Sequence, residues 1–141
     1  MWAVDTDLDP QILQATQNAA SFLQTQGHRI HTASPDFDYA QYLDAQKAIW
    51  CAHLYHSINN MAEYLQRTPG PDNLQTTTLA TYERGRTVSA DEFLRARDVY
   101  EGITRRVGEF LSRYDAMITP TACIQPEVLG SFDPDVADGS V

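Results

Sequence analysis

The run from Val88 to Gly130 constrains this chain more than any other stretch. Ser89 and Glu92 stand three residues apart, the spacing of a capping box, in which each satisfies an amide left open at a helix start. Val88 and Phe93 flank the box at hydrophobic-staple positions. Phe93, Ala96, Tyr100, Ile103, Val107, Phe110, Leu111 and Tyr114 then recur at helical spacing. Asp91 and Glu92 near the amino end, with Arg105, Arg106 and Arg113 toward the carboxyl end, suit the helix dipole. The pattern predicts one long helix over 89–114. Past Tyr114-Asp115 it becomes a short apolar run, 116–119, which reads as a strand stopped by Pro120. Gly102 and Gly108 each cost the helix about 1 kcal/mol relative to alanine, which marks them as close-packing points.

The rest of the chain reads as two more long helices and a short one. Asp9-Pro10 is a cap followed by a first-turn proline. Ile12, Ala15, Ala19, Phe22 and Leu23 follow at helical spacing, and Gly27 supplies a left-handed stop, giving a helix over 10–26. Residues 29–32 alternate around Ile30 as a short strand, ended by Pro35. A helix is expected over 39–66, with Leu43, Trp50, Leu54, Ile58, Met61 and Leu65 as its core stripe. Residues 48–55 are apolar on nearly every side, the pattern of a turn buried all round, and residues 57–60 are a candidate bend. After the Thr68–Asn73 loop, a short helix is expected from Leu74 to Arg84, capped by Asn73 and ended by Gly85. Trp2-Ala3-Val4 reads as the tail of a strand, and 131–141 as a mobile acidic tail. The expected fold class is mainly α, with two short strands near 29–32 and 116–119.

Composition removes several functions. A chain of 141 residues is one domain or a piece of a larger one. Its net charge is −9 and Lys47 is its sole lysine, so nucleic-acid and anionic-membrane partners are disfavoured. Cys51 and Cys123 lie far apart in apolar surroundings and form neither a disulfide framework nor a metal motif. They read as reduced thiols. With no signal core and no apolar run of spanning length, the expected location is the cytoplasm.

No residue stands out as catalytic. His28/His31 and His53/His56 form two His-x-x-His pairs, but the first falls at a strand entry and the second lacks the glutamate of a zinc hydrolase helix, so both read as structural. None of Ser21, Ser34, Ser57, Ser89, Ser112, Ser131 and Ser140 sits in a nucleophile elbow or beside a base. Cys51 and His53, two apart on a helix, diverge. Paired carboxylates for acid–base work cannot be assigned, and no glycine cluster forms a phosphate loop. The expected catalytic, metal and cofactor assignments are therefore none. Trp50, Tyr55, Tyr64, Tyr100 and Tyr114 could line a ligand pocket, but they recur at helical spacing and read first as core.

A helix broken at Tyr114-Asp115, an apolar strand, Thr119-Pro120-Thr121, then Gln125-Pro126 and Leu129-Gly130 resembles the C-terminal third of amidase-signature enzymes. The Asp9-Pro10 start and the Phe22-Leu23 to Ile30 finish are similar as well; residues 35–87 agree in layout only. The resemblance implies an excised segment of an α/β fold, with 1–130 a partial domain and its large sheet supplied from elsewhere. It also implies a hydrolase of small-molecule amides using a Ser–Ser–Lys triad, whose Gly/Ser-rich segment does not occur in this chain. Lys47 has no Ser-Ser partner and does not take the lysine's role. The family builds much of its acyl-group pocket from this region. The implied partners are the missing segments of the parent amidase, or further copies of this chain. Two rivals stand beside this reading: a non-enzymatic helical interaction module, and a small metal-binding protein using His53 and His56, for which calorimetry with zinc is expected to show no specific heat.

Overall fold

Asp9 starts the first helix as its chemistry requires. Its carboxylate accepts from the Gln11 amide at 2.7 Å and the Ile12 amide at 3.4 Å, satisfying donors that a helix start leaves open. In the computed structural model, which describes residues 8–132, α1 spans Pro10–Thr25, α2 Tyr39–Leu65, α3 Thr76–Thr87 and α4 Ala90–Leu111. The expected strand tail at residues 2–4 and most of the tail at 131–141 lie outside the described residues. The chain divides into two compact units. Among the described residues, one holds 8–39 with Ile103–Val128, the other Ala40–Gly102 with 129–132.

In the first unit, α1 ends at Gly27 in a left-handed conformation, φ 92°. The His28 amide donates to the Leu23 carbonyl at 3.1 Å and the Gly27 amide to Gln24 at 3.0 Å, the paired bonds of a Schellman stop. Asp9 also ties the start of α1 to a distant segment. Its amide donates to the Cys123 carbonyl at 2.9 Å, and Gln125 Nε2 donates to its carboxylate at 3.3 Å. Asp9→Ala is expected to lower stability by about 1 kcal/mol, read from a urea midpoint. No residue of α1 is buried, and Phe22 of its apolar stripe is exposed. The carboxyl end of α4 does bury its stripe, with Phe110 inside and Tyr114 packed on it at 5.0 Å between ring centroids.

The two expected strands are not formed; no strand is present among the described residues. Segments 29–32 and 116–119 lack regular structure because a strand exists through its ladder to a neighbour, and neither segment pairs with one among the described residues.

In the second unit, α2 packs through its small residues. Ala45 and Ala48 meet Ala96 of α4, with Ile49, Val99 and Tyr100 closing around them. Gly85 of α3 lies so close to α2 that a Cβ there would stand 2.1 Å from the Cys51 carbonyl oxygen. Gly85 is thus not the terminator of α3, which runs to Thr87; it is a buried contact within it. Conversely, Gly102 and Gly108 face open space and pack against nothing. The α2 core stripe is corrected too. Trp50, Met61 and Leu65 are exposed, while Ala45, Ala48 and Cys51 are buried, because close helix approach selects short side chains over long ones. Residues 48–55 are therefore buried on one side and not all round. Residues 57–60 remain helical.

Two caps also differ from expectation. Asn73 does not cap α3; it folds its own loop, accepting from the Gly70 amide at 3.1 Å and donating to the Thr68 carbonyl at 2.9 Å. Gln75 precedes α3 without a side-chain cap bond. Ser89 caps α4 by accepting from the Glu92 amide at 3.0 Å, but the Glu92 carboxylate is bound to Arg84 of α3.

Candidate functional site

A concave feature of the first unit is a groove between α1 and the extended residues 119–126, with a volume of about 460 Å³ and a wide opening to solvent. Helical spacing puts Ile12, Ala15, Thr16 and Ala19 on one side of α1, and prolines hold the opposite wall extended at Pro120 and Pro126. The Asp9 bonds to residues 123 and 125 fix the spacing of the two walls at one end. Thr16 spends its hydroxyl hydrogen on the Ile12 carbonyl at 2.9 Å. The groove is lined by alkyl, proline and threonine groups and carries no titratable side chain. Such a wall can seat an apolar surface, but it supplies no acid, base or nucleophile at a reacting atom.

The candidates weighed from sequence are scattered over the second unit and the ends of the first. His53 packs on Phe93 at 6.1 Å, and His56 Nε2 is bonded to Asn60 at 3.0 Å. His31 lies 6.5 Å from Tyr114. No group of three or more histidine, cysteine or acidic side chains able to hold a metal occurs among the described residues. Cys51 is buried, and burial pushes its thiol above the usual cysteine range; Arg84 and Lys47 oppose that shift and Glu92 adds to it. A thiol held protonated is a poor nucleophile. Ser89 serves as a cap, and the Ser112 hydroxyl donates to the Glu109 carbonyl at 2.8 Å.

The aromatic residues divide. Tyr55 stacks against Tyr82, whose hydroxyl donates to Asn59 at 3.0 Å. Tyr100 meets Tyr42 at 5.5 Å, and burial followed by their hydrogen bond raises its pKa. Trp50 and Tyr64, read as core from spacing, are instead exposed. None of these aromatics lines the groove. Sequence reasoning missed the groove because Ile12, Ala15 and Ala19 read only as an ordinary helical stripe.

The family described as Amidase matches residues 2–141. The chain is also similar to the protein named "Putative amidase AmiA2" of Mycobacterium bovis, and to its namesakes in two strains of Mycobacterium tuberculosis. Each is 26% identical over 126 residues, which is 89% of this chain and 24% of the relative. The chain thus spans about a quarter of the length of the curated relatives it matches. No solved structure matches it significantly.

Proposed function

Starting from the fact that this chain belongs to the amidase family, we propose that it is a scaffold and pocket-forming part of a hydrolase of non-peptide carbon–nitrogen amide bonds. In this reading the catalytic serines and lysine lie in sequence outside these residues, and the substrate is a small-molecule amide. One observation carries it. Met117, Ile118, Ile124, Val128, Leu129 and Phe132 are exposed along a stretch without regular structure. Six apolar side chains left in water on one segment are what a larger fold would cover. The groove beside that segment, apolar and without ionisable groups, suits a wall and not a reaction centre. Cys51 and Cys123 are free thiols, which agrees with a reducing compartment such as the cytoplasm. No helix among the described residues is long and apolar enough to cross a membrane.

The reading is tested by exposing the purified chain to a fluorophosphonate probe and mapping adducts by mass spectrometry. No labelled serine, and no hydrolysis across a panel of aliphatic and aromatic amides, is the expected result. Labelling at any of its serines would sink it. The non-enzymatic interaction module is the second reading, favoured by the exposed apolar side chains of α2. Sequencing the DNA upstream of Met1 separates the two: a frame running back into a Gly/Ser-rich segment supports the amidase, and a stop codon supports the module.

A further inference from the structure

We propose that the outer strip of α2 is a docking face for a second copy of this chain, joined α2 to α2 and antiparallel about a twofold axis near Leu54. Residues 43, 47, 50, 54, 58, 61 and 65 fall within a strip about 80° wide at ~3.6 residues per turn. The buried residues Ala45, Ala48 and Cys51 centre about 120° away around the same helix. The strip therefore borders the core along its Ile58 edge, near Cys51, and turns its Trp50 edge to solvent. It is well exposed: Trp50 is 64% accessible, Met61 57%, Leu65 50% and Leu43 37%. Leu54 and Ile58 are half-buried.

The pattern is its own complement. Counted outward from Leu54, Trp50 mirrors Ile58, Lys47 mirrors Met61, and Leu43 mirrors Leu65. An interface between identical copies needs this property, since each residue i must meet j while j meets i. Charge agrees with it. The chain carries a net −9, yet both acids of α2, Asp44 and Glu63, fall outside the strip. Lys47, the one charge within it, opposes a methionine, so no like charges meet across the axis and its alkyl stem can lie on apolar surface. From Leu43 to Leu65 the strip runs about 33 Å. A contact of that length around a tryptophan approaches the ~800 Å² per partner of a standard interface.

The experiment is sedimentation equilibrium on the full chain, its Cys123→Ser form and two variants, Trp50→Glu and Met61→Glu, with far-ultraviolet dichroism to confirm retained helix. A dimer for the parent, with an association constant at least 100-fold weaker in each variant, is expected. Disulfide trapping fixes the geometry: in the Cys123→Ser background, Leu43→Cys and Leu65→Cys chains mixed together cross-link with each other faster than either does with itself. A monomer at all concentrations would assign the strip to a different partner, such as the remainder of an amidase, and overturn the proposal. A dimer indifferent to both glutamates, or faster self-linking of Leu43→Cys, overturns it as well. The fluorophosphonate result bears on none of these outcomes.

Discussion

Gly85→Ala is expected to destabilise the chain by about 2–3 kcal/mol, at the upper end of overpacking effects. Most glycine-to-alanine changes inside a helix act in the opposite direction, by about 1 kcal/mol, through backbone entropy. The reversal has a local cause. The new methyl would stand 2.1 Å from the Cys51 carbonyl oxygen, 2.8 Å from its carbonyl carbon and 2.7 Å from the Tyr55 Cβ. None of these atoms is the tip of a flexible side chain, so relief requires α3 to move off α2. That motion would disturb the Tyr82–Asn59 hydrogen bond and the Tyr55–Tyr82 ring contact together. Gly102→Ala is the control: with nothing within 4 Å of its Cβ, it should gain up to about 1 kcal/mol. Urea unfolding followed at 222 nm measures both. Equal effects at the two sites would refute the close approach of α3 to α2.

Phe110→Ala is expected to cost about 3 kcal/mol, the usual range for emptying a buried phenylalanine site. Phe110 is 6% accessible. Its ring packs on Tyr114 at 5.0 Å and lies under the Arg113 guanidinium at 5.6 Å. Few buried side chains share the load with it in the first unit, since α1 buries none. The loss should therefore appear in the unit containing α1 and the end of α4. Hydrogen exchange at the α1 amides, read against those of α2, tests that placement. A loss below about 1 kcal/mol would mean the ring is not in a packed site.

Local chemistry was legible from residues alone. The Asp9 cap, the Gly27 stop and the Ser89 cap all formed as their residue types demand. Each is decided within six residues of chain. The stripe from Phe93 to Tyr114 was legible too, since every residue in it is buried or half-buried, although α4 stops at Leu111 and not at Tyr114. Asn73 shows where such reasoning fails. A residue with cap chemistry bonded into its own loop instead, because sequence names the donors and acceptors without ranking the nearby partners. The unremarkable composition of the groove, alkyl groups and threonines, hid it for a related reason: no residue type marks a surface that works by shape.

The sequence by itself determined four helices, most of their ends and the Amidase family to which the chain belongs. The tertiary structure decided which face of α2 turns inward and which glycine is a contact. Both depend on how near two helices come. Gly85 allows α3 to touch the α2 backbone, which draws Cys51 inside, while Ala45 and Ala48 meet Ala96 of α4 and Trp50 stays in solvent. Periodicity cannot show this, since a stripe of large apolar residues and a stripe of small ones have the same spacing. It likewise cannot show that 29–32 and 116–119 go unpaired, because a strand is a property of two segments and the pattern describes one.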